Sequence, residues 1–203
     1  AALFYYAGHG IQVKNQNYST IQVDATRPSG GSATTIPQQA FTVSTSPGTA
    51  INDAIQVAKQ ALQGMVFLPR GTYLTSSPLV IDGPVRLVGE SCYGTVLKGI
   101  GITGYVLSLV GVNFAEVSNL TLHGNDGTTT DLLQFNNAAQ SVVRDVLIQN
   151  ARNGIVLTGT SWSNLCERVI HNGHLTGTGL TFSSCHGAQY TFTGCTFGGS
   201  YGF

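Results

Sequence analysis

Four stretches of this chain can be written one beneath another. They are VLSLVGVNFAEVSNLTLHGN (residues 106–125), LLQFNNAAQSVVRDVLIQN (132–150), GIVLTGTSWSNLCERVIHN (154–172) and GLTFSSCHGAQYTFTGCTFGG (179–199). Each holds a short apolar strand, a polar bend, a second apolar strand and a Gly/Asn turn. Leu109, Phe135, Leu157 and Phe182 recur at spacings of 26, 22 and 25, and Val117, Val143, Cys166 and Phe192 at 26, 23 and 26. Two columns that keep phase through four turns predict a coil stacked on itself. A period of about 25 residues built from strands without helices predicts an all-β, single-stranded parallel β-helix. Such a coil presents a long, rigid face that suits an extended polymer.

Composition narrows the function. The 203 residues suffice for one elongated domain with a continuous core. Only 9% are charged and the formal net charge is zero, against about 25% charged in ordinary domains. Nucleic-acid binding is disfavoured, because a phosphate-binding face needs surplus Lys and Arg. A hydroxyl- and amide-rich, uncharged surface accompanies secreted or virion-surface proteins, so an extracellular or virion location is expected. No stretch nears the roughly 20 apolar residues that span a bilayer, and no membrane insertion is expected. The chain lacks an initiator Met and a signal-peptide pattern, and it stops at Phe203 directly after a coil. It reads as a piece of a longer protein, with further coils, a cap or a partner to follow. Cys92, Cys166, Cys185 and Cys195 match no zinc or redox spacing and read as free thiols. His171, His174 and His186 find no completing ligands, so neither metal nor cofactor is expected. His171 aligns with Leu122, Ile148 and Phe197, and is expected to point inward and hydrogen-bond in the core.

Upstream of the repeats, residues 1–25 read as a strand pair around a Gly-His-Gly turn, and 26–48 as a linker. A β-helix unit over 49–203 opens with the sole good helix, Thr49 to Leu62. Thr49 would cap it, Asp53 would lie in its first turn, and Gly64 would stop it. Its apolar stripe can cover the open end of the coil.

Within that unit, Ala50-Ile51-Asn52-Asp53-Ala54-Ile55 leads to Gly64-Met65-Val66-Phe67-Leu68-Pro69-Arg70-Gly71-Thr72-Tyr73. Val85-Arg86-Leu87-Val88-Gly89-Glu90 and Gly94-Thr95-Val96-Leu97-Lys98 follow. This run resembles the opening of the pectate-lyase-like right-handed β-helix superfamily, which includes phage tailspike depolymerases and secreted polysaccharide lyases and hydrolases. The resemblance implies a right-handed coil and a polysaccharide partner. It leaves the activity open, because the matching residues build the cap and first coils. Residues 1–25 (Ala2-Leu3-Phe4-Tyr5-Tyr6-Ala7-Gly8-His9-Gly10-Ile11, then Val23-Asp24-Ala25) resemble a caspase-like or metacaspase strand pair, in which His9 would be the general base. No nucleophilic Cys follows, so the dyad is incomplete and protease activity is not expected.

Polysaccharide cleavage needs paired carboxylates, or a base beside a uronic acid with a cation to neutralise its carboxylate. Asp126 and Asp131 flank a Gly-Thr-Thr-Thr loop and are expected to be exposed and close to His123. They form the best candidate catalytic pair, although Asn125-Asp126-Gly127 is also an ordinary turn. Asp145 and Glu167, expected at similar places on successive coils beside Arg144 and Arg168, offer an acid–arginine cluster. It would bind sugar or serve as a surface salt-bridge ladder. Trp162 would stack on a sugar if exposed and fill the coil if buried. Asn125, Asn150 and Asn172 fall near the same turn in three coils and could stack there as an amide ladder. The expected function is to bind a surface or extracellular polysaccharide, with depolymerisation as a lyase or hydrolase open; the alternatives are a non-catalytic spike or fibre assembling as a homotrimer, and an inactive caspase-like remnant fused to a β-helix.

Overall fold

Side chains alternate between the two faces of a strand, so the apolar columns can share one interior only if the chain coils. The structure is a computed structural model. It describes the backbone of residues 2–3, 11–16 and 18–23, and residues 47–60, 64–125, 129–186 and 189–198. Strands β1 (Ala2–Leu3), β2 (Ile11–Gln16) and β3 (Tyr18–Val23) pair antiparallel in that order. Helix α1 (Pro47–Gln60) follows. The solenoid begins with β4 (Met65–Leu68), β5 (Gly71–Thr75), β6 (Leu79–Ile81), β7 (Arg86–Gly89) and β8 (Thr95–Gly99). It continues with β9 (Gly104–Val110), β10 (Glu116–His123), β11 (Thr130–Asn136) and β12 (Val142–Gln149). The last strands are β13 (Ile155–Thr160), β14 (Asn164–His171), β15 (Leu180–His186) and β16 (Tyr190–Thr193).

Every pairing from β4 onward is parallel. A five-stranded sheet runs β6-β9-β11-β13-β15, and a wider sheet runs β3-β4-β7-β10-β12-β14-β16. The first half of β10 pairs with β7 and its second half with β8. One residue in left-handed backbone makes that division: Asn119 (φ 56°), then Asp145 (53°) and Arg168 (51°) on the next coils. Asn and Asp tolerate this conformation better than other residues with a Cβ. Arg168 is held there by two hydrogen bonds to Asp145.

The inward columns are those of the sequence. Leu109, Phe135, Leu157 and Phe182 are register partners, as are Val117, Val143, Cys166 and Phe192. Leu109, Phe135, Leu157, Val117 and Val143 are fully buried, each adding roughly 1.5–3 kcal/mol of hydrophobic stabilisation. At one corner the interior is polar. Ser141, Ser161 and Asn164 are buried and satisfied by one another and by backbone: Ser141 N–H donates to Asn164 Oδ1 (3.0 Å), and Asn164 Nδ2 to the Ala138 carbonyl (2.8 Å).

Helix α1 closes the first coil with Ile51, Ala54, Ile55 and Ala58. Asn52 pins it there, donating to the Pro78 carbonyl and accepting from Val80 N–H, both at 3.0 Å. It starts at Pro47, two residues before the expected Thr49, which leaves Asp53 outside the first turn. Proline's fixed φ suits the first helical position and extends the helix backward.

Candidate functional site

A spacing of 26 residues sets Tyr105 and Asp131 opposite one another on neighbouring strands of the five-stranded sheet, β9 and β11. The following corner, between β12 and β13, brings Arg152 and Asn153 onto the Asp131 carboxylate. Asp131 Oδ1 accepts from Arg152 Nε (2.8 Å), Asn153 Nδ2 (2.9 Å) and Asn153 N–H (3.2 Å), and Oδ2 accepts from Arg152 Nη2 (2.6 Å). The Asp131 side chain is 4% exposed and that of Arg152 45%. Asp131 is therefore buried, contrary to the expected exposed position. A carboxylate can be buried only with its charge and lone pairs answered, and Arg152 and Asn153 answer them. Arg152 keeps three of its five N–H donors for the outside. Its pKa is raised by the hydrogen bonds it donates to the Asp131 carboxylate.

Tyr105 shares this edge. Burial, with the Asp131 charge, raises its pKa against the lowering influence of Arg152 and of a hydrogen bond from Gln134. It is thus a phenol, able to donate a hydrogen bond, at neutral pH. Gln134 continues a polar ladder across the face: Ser108 Oγ donates to Gln134 Oε1 (3.1 Å), and Gln134 Nε2 to Thr158 Oγ1 (3.3 Å). The outcome is a flat, hydroxyl- and amide-lined face with one anchored guanidinium at its edge. Neither Tyr105 nor Arg152 was a sequence candidate. The Tyr105–Asp131 spacing of one full period was the available signal. Arg152 lies only 21 residues beyond Asp131 and joins it through the corner, off the period.

The remaining candidates are dispersed. Asp126 and His9 lie outside the described residues. His123 Nδ1 accepts from Asn125 N–H (2.8 Å), and its Nε2 faces Asn150 Nδ2 at 3.1 Å. The turn column there is Asn125, Asn150 and Gly173, all with positive φ, and Asn172 is not in it. Asp145 and Glu167 do not stack on one another: Arg144 is opposite Glu167, and Asp145 is bonded by Arg168 at 2.7 and 2.9 Å. The coil-to-coil step is 22 residues on the five-stranded sheet and 23 on the wider one, which shifts the acids by one place and sets each over a cation. Arg168 also pairs with Glu167, while Glu116 sits between Arg86 (2.8 Å) and Arg144 (3.4 Å). This is an alternating charge ladder on the outside of the wider sheet, remote in register from Tyr105. Trp162 is exposed, at 44%. His171 turns inward as expected, but its buried Nε2 has no hydrogen-bond partner. Its column neighbours Leu122, Ile148 and Phe197 offer none. Among the described residues no group of three or more His, Cys, Asp or Glu could hold a metal, and no helix is long and apolar enough to cross a membrane.

Residues 42–108 match a family model described as rhamnogalacturonase A/epimerase, pectate lyase-like. Among solved structures, an alginate lyase from a Paenibacillus strain superposes with a TM-score of 0.58 at 16% identity, over 73% of this chain and 55% of that one. The A-module of the Azotobacter vinelandii mannuronan C-5 epimerase AlgE4 gives 0.52 at 18% identity, over 74% and 55%. The A-module of AlgE6 from the same organism gives 0.50 at 19%, over 76% and 54%. The chain shares the β-helix fold of these enzymes. It spans about half the length of each. Comparison with the sequences of curated proteins found no match. The caspase-like resemblance of residues 1–25 has no counterpart among these similarities.

Proposed function

We propose that the protein binds an extended, carboxylate-bearing polysaccharide along the outward face of the five-stranded sheet. Arg152 receives a sugar carboxylate, the Tyr105 hydroxyl donates to the same sugar residue, and Gln134 and Thr158, with Gln134 held from beneath by buried Ser108, engage sugar hydroxyls. The observation that carries this reading is the Arg152 guanidinium, locked by Asp131 with donors left over, at the edge of a rigid uncharged polar face. The fold shared with an alginate lyase and mannuronan epimerases, whose substrates are polymers of uronic acids, supports it. Such polymers are met outside cells, so the protein would act there or on a virion.

Binding is favoured over cleavage by the state of the acids. Among the described residues, Asp82, Glu90, Glu116, Asp131, Asp145 and Glu167 each face a cation, and Asp82, Glu116 and Asp145 are held below the usual carboxylate range, which makes them poor general acids. Tyr105, with its pKa raised, makes a poor base.

The test is affinity electrophoresis in gels cast with sodium alginate or with a neutral β-glucan, run on the wild type, Arg152→Lys and Tyr105→Phe. Retardation by alginate, weakened about tenfold in Arg152→Lys because an ammonium cannot replace the planar fork, supports the reading. Equal retardation by both polymers, undiminished in the variants, sinks it. The same mixtures are assayed for reducing ends and for the ultraviolet absorbance of unsaturated uronates. Either signal would replace the binding reading with depolymerisation.

A further inference from the structure

The corner that leads from the five-stranded sheet to the wider one carries two exposed aromatic rings. Phe114 is 57% and Trp162 44% exposed. The corner is built from Gly111 to Ala115, Asn137 to Ser141 and Gly159 to Asn164, and none of these residues is charged. Its backbone is fixed by parallel bridges joining Asn113, Ala139 and Trp162. Phe114 N–H donates to the Ala139 carbonyl (3.2 Å), and Gln140 N–H to the Trp162 carbonyl (3.1 Å). From beneath, the buried serines and Asn164 hold it: Ala115 N–H donates to Ser141 Oγ and Ala138 N–H to Ser161 Oγ.

Two features set these rings apart from casual surface hydrophobes. Phe114 has φ 62°. A bulky residue there is a conformational outlier: the next two coils hold Gln140 (φ 51°) and Ser163 (φ 53°) at the same bend, and the other described non-glycine residues with positive φ are Asn, Asp, Arg or Ser. The strain and the exposure both work against stability, a combination that points to use by a ligand. Trp162 lies in a bend one residue longer than its predecessors: Gly159 to Ser163 spans one more position than Asn137 to Gln140 between equivalent left-handed residues. Phe114 and Trp162 are two coils apart, about 10 Å along the axis, close to the advance of a disaccharide in an extended chain. Gln140, exposed on the intervening coil, offers an amide between them.

We infer that this corner is a second glycan contact, where Phe114 and Trp162 stack on the apolar faces of sugar rings and Gln140 hydrogen-bonds their hydroxyls. The inference rests on the polysaccharide reading above and extends it from the Arg152 edge to the opposite edge of the same sheet. With no charge present, this contact recognises ring faces rather than carboxylates, and so grips the polymer without reading its acidity.

Trp162 is the sole tryptophan of the chain, so its emission reports this corner alone. Sodium alginate is titrated into the wild type while emission and acrylamide quenching are recorded, and affinity is measured by gel retardation for the wild type, Phe114→Asn and Trp162→Ala. Phe114→Asn restores a residue suited to the bend and should melt no lower than the wild type. The expected result is a blue shift, reduced quenching, and affinity lowered about fivefold to tenfold in each variant. If alginate is retained but the emission does not change, or both variants bind as the wild type does, the corner is no contact and the Arg152 face stands without it. If the wild type binds no alginate, the polysaccharide reading falls and this inference falls with it.

Discussion

Replacing Asp131 by alanine should unfold the protein early rather than merely silence it. The carboxylate accepts four hydrogen bonds, two from a guanidinium, and is 4% exposed. Bonds to a charged group contribute about 1.5–3 kcal/mol each, but the half-exposed Arg152 recovers much of its share by turning to water. What remains lost is the pairing of the Asn153 backbone and side chain, which leaves a net cost of about 2–3 kcal/mol for Asp131→Ala. Asp131→Asn keeps one acceptor and should cost less. Urea denaturation followed by circular dichroism would show a lower midpoint with an unchanged slope. The double variant Asp131→Ala/Arg152→Ala should cost less than the sum of the singles, because they share one interaction. An Asp131→Ala protein within about 0.5 kcal/mol of the wild type would refute the structural role. It would return Asp131 to the pool of free, reactive carboxylates.

Acid should destabilise the fold. Glu116 is held below the usual carboxylate range: burial raises its pKa, but Arg86 and Arg144 outweigh it. Asp145 is lowered by its hydrogen bonds from Arg168, and Asp82 by that from Lys59. The unfolded chain then binds more protons, so this contribution is complete above the ordinary values of 4.5 and 3.8 and disappears as pH falls through the lower folded values; melting temperature against pH, at low and high salt, checks it. Phe135→Ala empties a fully buried site between Leu109 and Leu157 and should cost about 3–5 kcal/mol in urea unfolding. Cys166, buried and with its thiol pKa pushed up by desolvation, should react with a disulfide reagent only at the rate of unfolding, whereas half-buried Cys92 should react sooner; mass spectrometry of labelled peptides separates the two.

The fold was legible because burial writes itself into the sequence at every coil. Leu109, Phe135 and Leu157 must all be apolar to fill one interior, and the opening Gly-Met-Val-Phe-Leu-Pro-Arg-Gly-Thr-Tyr run marks the first strands. The site was less legible because it lies on the outward face, where no such demand repeats. Asp131 could be picked out as an acid near a loop, but its burial depends on Arg152 arriving through a corner whose length follows no period. The same uncertainty of corner length displaced Asp145 by one residue relative to Glu167. Nothing in the sequence singles out Phe114; its exposure comes from the left-handed bend it occupies, which composition does not announce.

Oxidative footprinting of the aromatic side chains with and without sodium alginate would locate the occupied face in one measurement. Tyr105, Phe114 and Trp162 line the proposed path. Tyr93, 73% exposed, stands on the segment between β7 and β8 whose Cys92 carbonyl accepts from Thr121 on the wider sheet. Protection of Tyr105, Phe114 and Trp162 with Tyr93 still oxidised is the predicted result. Protection of Tyr93 with Tyr105 unchanged, or of none of them, would contradict a polysaccharide bound on the five-stranded sheet.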